Sequence, residues 1–463
     1  MTTAHTLQAY ATYLPAWRLS PRSTGARTAR VVASFDEDST TMGVEAAGAL
    51  LRTLEPGTPV PSLHFATTSP AYLDKTNAVA IHAALGLDAA VFAADLAGSG
   101  RSGFAALRAA LADGGLAVTA DVRVGKPGSA DERSGGDGAA AFLFGPGPGI
   151  AEVLAQRSLS AEFLDRWRAP ASTTGEQWEE RFGFEAYAAL VRRAAGEALG
   201  AAGLTEADHV VVTSPNFGVT RRAGSLVKGR LLTQGSPIGF SGAADVGLAL
   251  AAVLDEAGEG ESVLLVSAAD GCDAMVLRTT GLLPGRRQRT PVGQQLGRGR
   301  EIDHLAYLAW RGLVERELPR RPEPDRPAGP PAARAVGWKF AFDGSRCTEC
   351  RFVHLPPLRV CRNCGTADAM EPVPGAHLRG TVATHTVDHL AYSPSPPLVV
   401  VVADFDGGGR TSLELADADP GALCVGSRVD LAFRRFFTAQ GVHNYFWKAR
   451  LAADAGTSER SAV

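Results

Sequence analysis

Short apolar runs alternate with segments rich in alanine and leucine between residues 62 and 144. The apolar runs are Leu63 to Thr67, Val91 to Leu96, Ala117 to Val122 and Ala139 to Phe144. Runs of this length are typical of buried strands, and the segments between them are typical of helices. The alternation predicts an α/β layered domain.

The same pattern returns further along the chain, which predicts a duplicated domain. Glu176 to Leu199 has the pattern of a helix. The apolar runs that follow it are His209 to Thr213, Leu248 to Leu254 and Ser262 to Val266. Each half also ends in an Asp-Gly turn that enters an apolar run, at Asp137-Gly138 and at Asp270-Gly271. Chance similarity between two short glycine- and alanine-rich segments is the alternative interpretation.

Prolines dominate the segment from Leu318 to Ala333. Such a composition is typical of an extended, semi-rigid spacer. We therefore place a linker at residues 317–336, after a first domain at 1–316. Just before the linker, Ile302 to Val314 has the pattern of a helix that could dock on either neighbour.

The segment after the linker has the pattern of a small β-barrel. Its apolar runs are separated by turns that contain glycine, aspartate and proline, and they are Thr381 to Val387, Pro397 to Phe405, Thr411 to Leu415 and Arg428 to Phe433. This spacing predicts a barrel over residues 371–452. Residues 453–463 are expected to be a flexible tail.

Four of the six cysteines form two Cys-x-x-Cys pairs, Cys347 with Cys350 and Cys361 with Cys364. Each pair presents two thiolates from one tight turn, and two such turns complete the tetrahedral shell of a zinc ion. Since four cysteines leave no ligand position open, we predict a structural zinc site at residues 337–370. His354 lies between the pairs in a strand-like context and is left out of the ligand set.

Charge and composition restrict the partners and the compartment. The net charge is −3 with 21% charged residues, so no basic excess favours nucleic acid or an anionic membrane. The start of the chain has no signal-peptide pattern, and no long apolar run predicts a membrane span. We therefore expect a soluble, cytoplasmic protein in which Cys272 and Cys424 are ordinary buried thiols.

The tail from Trp338 to Arg450 resembles a family in which a rubredoxin-like zinc ribbon precedes an OB-fold. The segments that carry the resemblance are Gly344 to Cys347, Leu355 to Pro357, Val360 to Gly365 and Gly380 to Val382. The resemblance implies contact with thiolases and enzymes of acyl-CoA thioesters. OB-folds also bind nucleic acid, but Phe433 to Phe437 is the one segment of the tail where basic and aromatic residues are interleaved.

The large domain resembles the 3-hydroxy-3-methylglutaryl-CoA synthase branch of the thiolase superfamily, close to ketoacyl synthase III. The segments that carry the resemblance are Tyr13 to Leu19, Phe35 to Met42, Val44 to Ala47, Thr67 to Leu73, Lys126 to Ser129 and Gly136 to Ala140. The resemblance extends over residues 6 to about 314. It implies a thiolase-like, duplicated five-layer αβαβα domain and, usually, a dimer.

The resemblance also implies a catalytic cysteine, histidine, asparagine and glutamate, and none of them stands in this sequence. Gly100 takes the place of the cysteine at the start of a helix, and Thr213 that of the histidine in a His-x-Pro-Asn motif. Phe240 lies where a Gly-Asn-Thr turn is expected, and Thr68 replaces the glutamate before Ser69. These four residues are called the substituted positions below.

Ser99 and Ser102 flank the missing cysteine and are the weak candidates for another nucleophile. A serine hydroxyl needs a partner base, and the matched motifs keep no histidine. A turn rich in glycine and serine is also the ordinary structural expectation between a strand and a helix. His64, His82 and His209 are expected to be packed or solvent-facing residues.

Two charged segments allow both a functional and a structural interpretation. Arg221, Arg222 and Lys228, with Arg230 nearby, could contact the phosphates of CoA or could form a solvated basic face. Asp36, Glu37 and Asp38 resemble a family feature. We interpret them as the anionic N-terminus of a helix that begins near Ser39 or Thr40.

The sequence thus favours a subunit that has kept a condensing-enzyme fold and lost its chemistry. We expect it to bind or position acyl-CoA or carrier-bound thioesters for a thiolase-like or other acyl-CoA or acyl-carrier enzyme, as a homodimer or in a mixed complex. The alternatives are an active acyltransferase or condensing enzyme that uses a non-cysteine site, and a scaffold that binds no thioester.

Overall fold

The computed structural model describes residues 5–55, 57–233, 236–317, 321 and 334–452. Most of the predicted linker at 317–336 and the predicted tail at 453–463 lie outside the described residues. The chain divides into two compact units. The first comprises residues 1–34, 38–81 and 88–311, and the second comprises 35–37, 82–87 and 312–463.

The strands and helices have the following bounds. The strands are β1 (Thr6–Tyr13), β2 (Trp17–Leu19), β3 (Arg30–Val32), β4 (Ser62–Thr67), β5 (Phe92–Ala97), β6 (Leu116–Asp121), β7 (Gly138–Gly145), β8 (Ala151–Ser160), β9 (Arg166–Trp167), β10 (Glu176–Gln177), β11 (Ala207–Thr213), β12 (Gly229–Thr233), β13 (Ser262–Ser267), β14 (Gly271–Thr279), β15 (Arg300–Ile302), β16 (Gly344–Cys347), β17 (Val353–His354), β18 (Met370–Val373), β19 (Gly380–Asp388), β20 (Leu398–Phe405), β21 (Arg410–Glu414), β22 (Arg428–Ala439) and β23 (Val442–Leu451). The α-helices are α1 (Pro21–Thr24), α2 (Ser39–Leu51), α3 (Ala78–Ala84), α4 (Arg101–Asp113), α5 (Ala130–Ser134), α6 (Glu180–Ala201), α7 (Phe217–Arg221), α8 (Ala223–Leu226), α9 (Asp245–Glu256), α10 (Val292–Gly297) and α11 (His304–Trp310). Shorter helical turns lie at Gly242–Ala244, Gly337–Ala341 and Pro420–Ala422.

The first unit contains a ten-stranded sheet whose two halves repeat one topology. The strand order is β12-β11-β13-β14-β8-β1-β7-β6-β4-β5. In the first half, β4 is parallel to β5 and β6, after which β7 and β1 follow antiparallel. In the second half, β11 is parallel to β12 and β13, after which β14 and β8 follow antiparallel. The halves meet at the β1–β8 pair, and the repetition confirms the predicted duplication.

Helices lie between and outside the two halves of the sheet. Helices α4 and α9 share one buried cluster with strand residues of both halves, such as Phe142 and Val263. Helix α2 packs against strands of the first half and α6 against strands of the second. This layering is the thiolase-like arrangement that the sequence predicts. Helix α11 packs through Tyr307 on Leu19 and Val32, so it belongs to the first unit.

Two elements of the first unit differ from the predicted pattern. The apolar run Leu248 to Leu254 resembles a buried strand in sequence, but it lies in helix α9, which is buried along most of its length. A helix that is apolar all round gives the same continuous run as a buried strand. Strand β8 gives no apolar run in the sequence, because it contains the half-buried Gln156 and the exposed residues Arg157 and Ser158.

The second unit contains two small antiparallel sheets. The first has the order β17-β16-β18 and the second the order β21-β20-β19-β22-β23. An isolated bridge between Leu415 and Ala449 links the β21 end of the larger sheet to β23, as in a closed barrel. Strand β23 was missed because it begins with the polar residues His443 and Asn444 and lacks a clean alternation.

Among the described residues, no helix combines the length and apolar character that crossing a membrane requires.

Candidate functional site

Three of the four substituted positions come together in the structure, and the fourth, Thr213, ends strand β11. Thr68 follows β4, and Gly100 is the residue before α4. Phe240 lies in the loop that leads to α9. All three lie where the C-terminal ends of parallel strands meet, which is the usual ligand-binding edge of such a sheet. Thr213 ends β11 in the other half, where its hydroxyl donates to the carbonyl of Val266 at 3.3 Å.

Phe240 fills the space beside Gly100. A Cβ atom built on Gly100 would lie 3.7 Å from both Cε2 and Cζ of the Phe240 ring. It would also lie 3.4 Å from the carbonyl oxygen of Gly242. Phe240 is buried. A Cβ atom at position 100 would therefore be in van der Waals contact with the ring, which forms one wall of the space beside Gly100.

Two guanidinium groups lie close to the Phe240 ring. The Cζ atom of Arg123 is 5.1 Å from the ring centroid, and that of Arg166 is 5.4 Å away. Both distances are within the range of cation–π attraction. Arg123 also donates from Nη1 to Oγ1 of Thr68 at 2.8 Å, and Arg168 donates to the carbonyl oxygen of Thr68. We call Arg123, Arg166 and Arg168 the arginine cluster.

The charges of the cluster are partly compensated. Arg166 forms a bidentate ion pair with Asp131. Burial alone would raise the pKa of Asp131, but the hydrogen bond to Arg166 and the charges of Arg166, Arg123 and Arg30 together outweigh burial and lower that pKa. Burial and the neighbouring charge of Arg166 lower the pKa of Arg123 to about 10. The Asp131 carboxylate is therefore paired with Arg166 and with neither Arg123 nor Arg168 by a hydrogen bond among the described residues.

Asp121, at the end of β6, holds the surrounding backbone in place. Its carboxylate accepts from the hydroxyl of Ser69 at 2.6 Å, from that of Thr67 at 3.0 Å and from the N–H of Thr68 at 2.9 Å. It also accepts from the N–H of Ala243 at 2.6 Å. Gly242 has φ of +61°, and a Cβ atom there would lie 2.0 Å from Oδ2 of Asp121. Only glycine fits at position 242.

The candidate serines are not arranged as activated nucleophiles. The hydroxyl oxygen of Ser99 accepts from the N–H of Arg101 at 3.3 Å, which is a turn contact at the start of α4. Across the described ranges, neither Ser99 nor Ser102 has a hydrogen bond to a histidine. The structure therefore leaves both hydroxyls without the base that a nucleophile needs.

The histidines lie away from the substituted positions. His64 contacts Asp113 at 2.8 Å, and His209 contacts Glu261 at 2.5 Å. Both are buried near the starts of their strands, whereas the substituted positions lie at or beyond the strand ends. His82 is half-buried in α3.

The turn Pro215-Asn216, which follows β11, has a structural role. Asn216 accepts from the N–H of Gly218 at 3.0 Å and so caps α7. Its Nδ2 atom donates to Asp165 and to the carbonyl of Glu180, both at 3.0 Å.

The basic candidates after this turn have varied surroundings. Arg221 forms an ion pair with Glu180, and the Cζ atom of Arg222 lies 4.4 Å from the centroid of Phe184. Lys228 and Arg230 are exposed. Their role in CoA binding stays a prediction.

The four predicted zinc ligands converge in the second unit. The Sγ atoms of Cys347, Cys350, Cys361 and Cys364 all lie within 4.8 Å of one another. Two of the separations are 3.7 Å, between Cys347 and Cys364, and 3.5 Å, between Cys350 and Cys361. A tetrahedron with Zn–S bonds of 2.3 Å has sulfur atoms about 3.8 Å apart. The cluster therefore fits a zinc ion.

Both cysteine pairs have the same backbone turn. Arg351 donates its N–H to the carbonyl of Cys347, and Gly365 donates to that of Cys361, both at 2.9 Å. The two residues have positive φ values of 62° and 78°. His354 lies in β17, as its context predicted.

Only part of the segment Asp36-Glu37-Asp38 has the predicted capping role, and its other residues pair with buried cations, one of them in the segment Phe433 to Phe437. Only Asp38 caps α2, by accepting from the N–H of Thr41 at 2.9 Å. Within the second unit, Glu37 pairs with Arg434 and Asp36 with Lys448. Arg434 is completely buried in these ion pairs. The basic and aromatic run is therefore not a surface for nucleic acid at this residue.

The two remaining cysteines have different surroundings. Cys272 is buried, as predicted, and burial raises the pKa of its thiol to about 12. Cys424 is exposed, so its predicted burial is wrong. Cys424 follows the short helical turn Pro420–Ala422. The hydroxyl oxygen of Ser427 lies 3.3 Å from its sulfur atom.

Two family models match the second unit. Residues 344–371 match the rubredoxin-like zinc ribbon domain of ChsH2, and residues 373–434 match the C-terminal OB-fold domain of ChsH2. The matches confirm the predicted zinc ribbon and OB-fold.

The first unit is similar to characterised archaeal sequences. A hydroxymethylglutaryl-CoA synthase of Archaeoglobus fulgidus is 30% identical over 302 residues, which cover 61% of this chain and 88% of that protein. A hydroxymethylglutaryl-CoA synthase of Aeropyrum pernix is 31% identical over 311 residues, which cover 62% of this chain and 86% of that protein.

Solved structures show the same fold. The structure of an HMG-CoA synthase complexed with CoA has a TM-score of 0.59 at 16% identity, covering 66% of this chain and 89% of that one. The 3-oxoacyl-(acyl carrier protein) synthase III of Pseudomonas aeruginosa has a TM-score of 0.52 at 20% identity, covering 60% of this chain and 98% of that one. The large domain is therefore thiolase-like.

Proposed function

Because this chain belongs to the hydroxymethylglutaryl-CoA synthase family, we propose that it binds or positions acyl-CoA or carrier-bound thioesters without forming an acyl-enzyme. The thioester is then handled by a thiolase-like or other acyl-CoA partner enzyme in a carbon–carbon bond-forming or bond-cleaving pathway. The proposed setting is the reducing cytoplasm, where the zinc ribbon would keep its four thiolates.

The observation that carries this proposal is the Phe240 ring beside Gly100. Covalent thioester chemistry needs a nucleophile at the start of α4, and the backbone there carries no side chain. The Phe240 ring, which lies in van der Waals contact with the Cβ position of residue 100, restricts the space beside it. The site can thus contact a thioester from outside but offers it no cysteine to acylate.

Thr68, which stands in place of the family's glutamate, supports the same proposal. In the family that the sequence resembles, a glutamate at this position acts as acid and base. The Thr68 hydroxyl has no comparable acidity, and its oxygen accepts a hydrogen bond from Arg123. Arg123 and Arg168 thus turn this edge of the sheet from a proton-transfer site into a cationic one.

Intact-protein mass spectrometry tests the absence of an acyl-enzyme. The full chain, purified with zinc, is incubated with acetyl-CoA and acetoacetyl-CoA, and its mass is measured before and after hydroxylamine treatment. We expect no hydroxylamine-sensitive mass increase. An increase that Ser99→Ala or Ser102→Ala abolishes, while Ser225→Ala keeps it, would contradict the proposal and support a serine-dependent acyltransferase.

Calorimetry tests the binding half of the proposal. Saturable heat with acyl-CoA supports thioester binding. Its absence with acyl-CoA, CoA and an acyl-carrier protein would leave a scaffold that binds no thioester. Arg221→Ala and Lys228→Ala, compared with Arg193→Ala on the exposed face of α6, show whether the predicted CoA contacts are used.

We also propose that β5 mediates self-association. It is one of the two edge strands of the ten-stranded sheet, and Phe92 at its start is 62% exposed. Leu73 and Val79 are also exposed, at 77% and 41%. An unpaired strand edge next to exposed apolar side chains is a ready surface for pairing with a second copy. Sedimentation is expected to show a dimer that Phe92→Lys weakens; a monomer at all concentrations would leave the mixed complex as the alternative.

A further inference from the structure

The arginine cluster has more hydrogen-bond donors than the protein uses. Each guanidinium group has five N–H donors. Arg166 directs two nitrogen atoms at Asp131. In the part of the chain that the structure describes, the Arg123 side chain donates one hydrogen bond, to Thr68, and the Arg168 side chain also donates one, to the same residue. Several donors of Arg123 and Arg168 therefore remain for a ligand.

Thr68 holds these two guanidinium groups close together. Arg123 binds its hydroxyl oxygen and Arg168 binds its carbonyl oxygen, so both cations are attached to one residue. Arg123 is half-buried, whereas Arg168 is exposed. The pair thus extends from the Phe240 ring to solvent, and a small ligand can reach it without moving the core.

The nearby carboxylates do not neutralise both cations. Asp131 is paired with Arg166, and the charges of Asp121 and Asp131 both act on Arg123, so two carboxylates face the three guanidinium groups of the arginine cluster. Burial raises the pKa of Asp245, at the start of α9, to about 7, so this group carries only part of a charge near neutrality. Burial is the main cause of the lowered pKa of Arg123, and the positive charges of Arg166 and Arg168 lower it further.

We propose that Arg123 and Arg168 form an oxyanion-binding site that receives the free carboxylate of an acidic acyl group or a phosphate of its carrier. Guanidinium groups match the planar, bidentate geometry of a carboxylate and also bind phosphate. If the protein binds thioesters as proposed above, the site selects those whose acyl chain ends in a carboxylate. In that role Arg123 and Arg168 replace covalent attachment by charge recognition at the same edge of the sheet.

Small anions test the site without depending on thioester binding. The full zinc-loaded chain is titrated with malonate, glutarate and inorganic phosphate at constant ionic strength, with chloride as the reference salt. The thermal midpoint and the fluorescence of Trp167, which lies between Arg166 and Arg168 in sequence, are the readouts. We expect a saturable response to at least one of the anions. No saturable response beyond that to chloride would overturn the proposal.

Substitutions locate the response. Arg168→Gln removes an exposed cation and should preserve the fold, and Arg123→Gln removes the half-buried one. Each is expected to weaken anion binding at least tenfold, while Arg193→Gln, whose ion pair with Glu197 lies on the exposed face of α6, keeps it. Equal binding by the unaltered chain and Arg168→Gln would contradict the proposal, even if Arg123→Gln does not fold.

Thioester pairs distinguish the two sources of the anion. If the acyl carboxylate is the ligand, Arg168→Gln weakens malonyl-CoA and leaves acetyl-CoA unchanged. If a carrier phosphate is the ligand, it weakens malonyl-CoA, acetyl-CoA and CoA alike. Binding of small anions without binding of any thioester would support the oxyanion site and reject the proposed function.

Discussion

The Nζ atom of Lys448 lies 2.9 Å from Oδ2 of Asp36, inside the second unit. Lys448 also lies 2.8 Å from Oε2 of Glu414, and both Lys448 and Asp36 are buried. Burial alone would lower the pKa of Lys448, but the two carboxylates outweigh it and raise that pKa. The ion pairs therefore stabilise the fold throughout the neutral range, and this contribution is lost only as pH rises through the raised pKa.

Lys448→Met is expected to destabilise the second unit by about 3–5 kcal/mol, because it removes a buried cation that lies within 2.9 Å of the two carboxylates Asp36 and Glu414. Urea unfolding followed by circular dichroism measures the change. Arg410→Ala is the control, since Arg410 pairs with Asp404 on the surface and should contribute little. Equal midpoints for the two variants would contradict a stabilising role of the buried pair.

Zinc removal is expected to unfold the ribbon. Cys350→Ser takes away one of four thiolates, so zinc content should fall well below the about one ion per chain expected of a four-cysteine site. Metal analysis and the thermal midpoint are the measurements. Cys424→Ser, which changes an exposed cysteine outside the cluster, should keep the metal. Full zinc content in Cys350→Ser would show that the four-sulfur shell is not required.

Two buried tyrosines are expected to respond oppositely to removal of their hydroxyls. The Tyr10 hydroxyl donates to Asp255 at 2.7 Å, so Tyr10→Phe should cost about 1.5–3 kcal/mol. The Tyr307 hydroxyl is buried and has no hydrogen-bond partner among the described residues. Tyr307→Phe should therefore be neutral or stabilising by up to about 1 kcal/mol. Chemical denaturation of both variants checks the order, and a larger loss for Tyr307→Phe would refute it.

Two helical glycines form a second matched pair. A Cβ atom on Gly103 in α4 would lie 2.1 Å from the carbonyl oxygen of Ala243, so Gly103→Ala should destabilise by about 1–3 kcal/mol. Gly196 in α6 has nothing within 4 Å of such an atom. Gly196→Ala should stabilise by about 0.5–1 kcal/mol, because alanine is the better helix former. Thermal unfolding measures both, and destabilisation by Gly196→Ala would be inconsistent with its open surroundings.

Asp245 is expected to make stability depend on pH. Burial raises its folded-state pKa to about 7, whereas the unfolded chain has a value of about 3.9. The folded state therefore binds more protons between these values, and stability falls as pH rises from about 4 to 7. Asp245→Asn should flatten this slope in urea unfolding between pH 4.5 and 7.5. Ser241 contacts the Asp245 carboxyl group in the folded state. An unchanged slope in Asp245→Asn would assign the pH dependence to groups other than Asp245.

The sequence was sufficient where the relevant spacing is local. The pairs Cys347 with Cys350 and Cys361 with Cys364 specify their turns by themselves, and the Asp-Gly turns mark β7 and β14. The duplicated sheet followed from the alternation of apolar runs, since central strands such as β4, β6 and β13 are buried on both faces.

The arginine cluster could not be predicted in the same way. Arg123 follows β6, whereas Arg166 and Arg168 lie in and just after β9, and the fold brings Arg123 and Arg168 to Thr68 and Arg166 to Phe240. The role of Asp121 was hidden for the same reason, because its partners lie on β4 and in the loop before α9. The buried pairing of Arg434 with Glu37 could not be predicted either, because Glu37 is nearly the whole chain away.

The hydrogen bonds of Asp121 also bear on the kinetics of ligand binding. Hydrogen-bond donors on Ser69, Thr68 and Ala243 already occupy the oxygens of Asp121, so the backbone beside Arg123 is ordered before any anion binds. A backbone that is already ordered loses little conformational entropy on association. Stopped-flow traces of anion binding should then show a single phase whose rate rises linearly with anion concentration and reaches no plateau from a slow rearrangement.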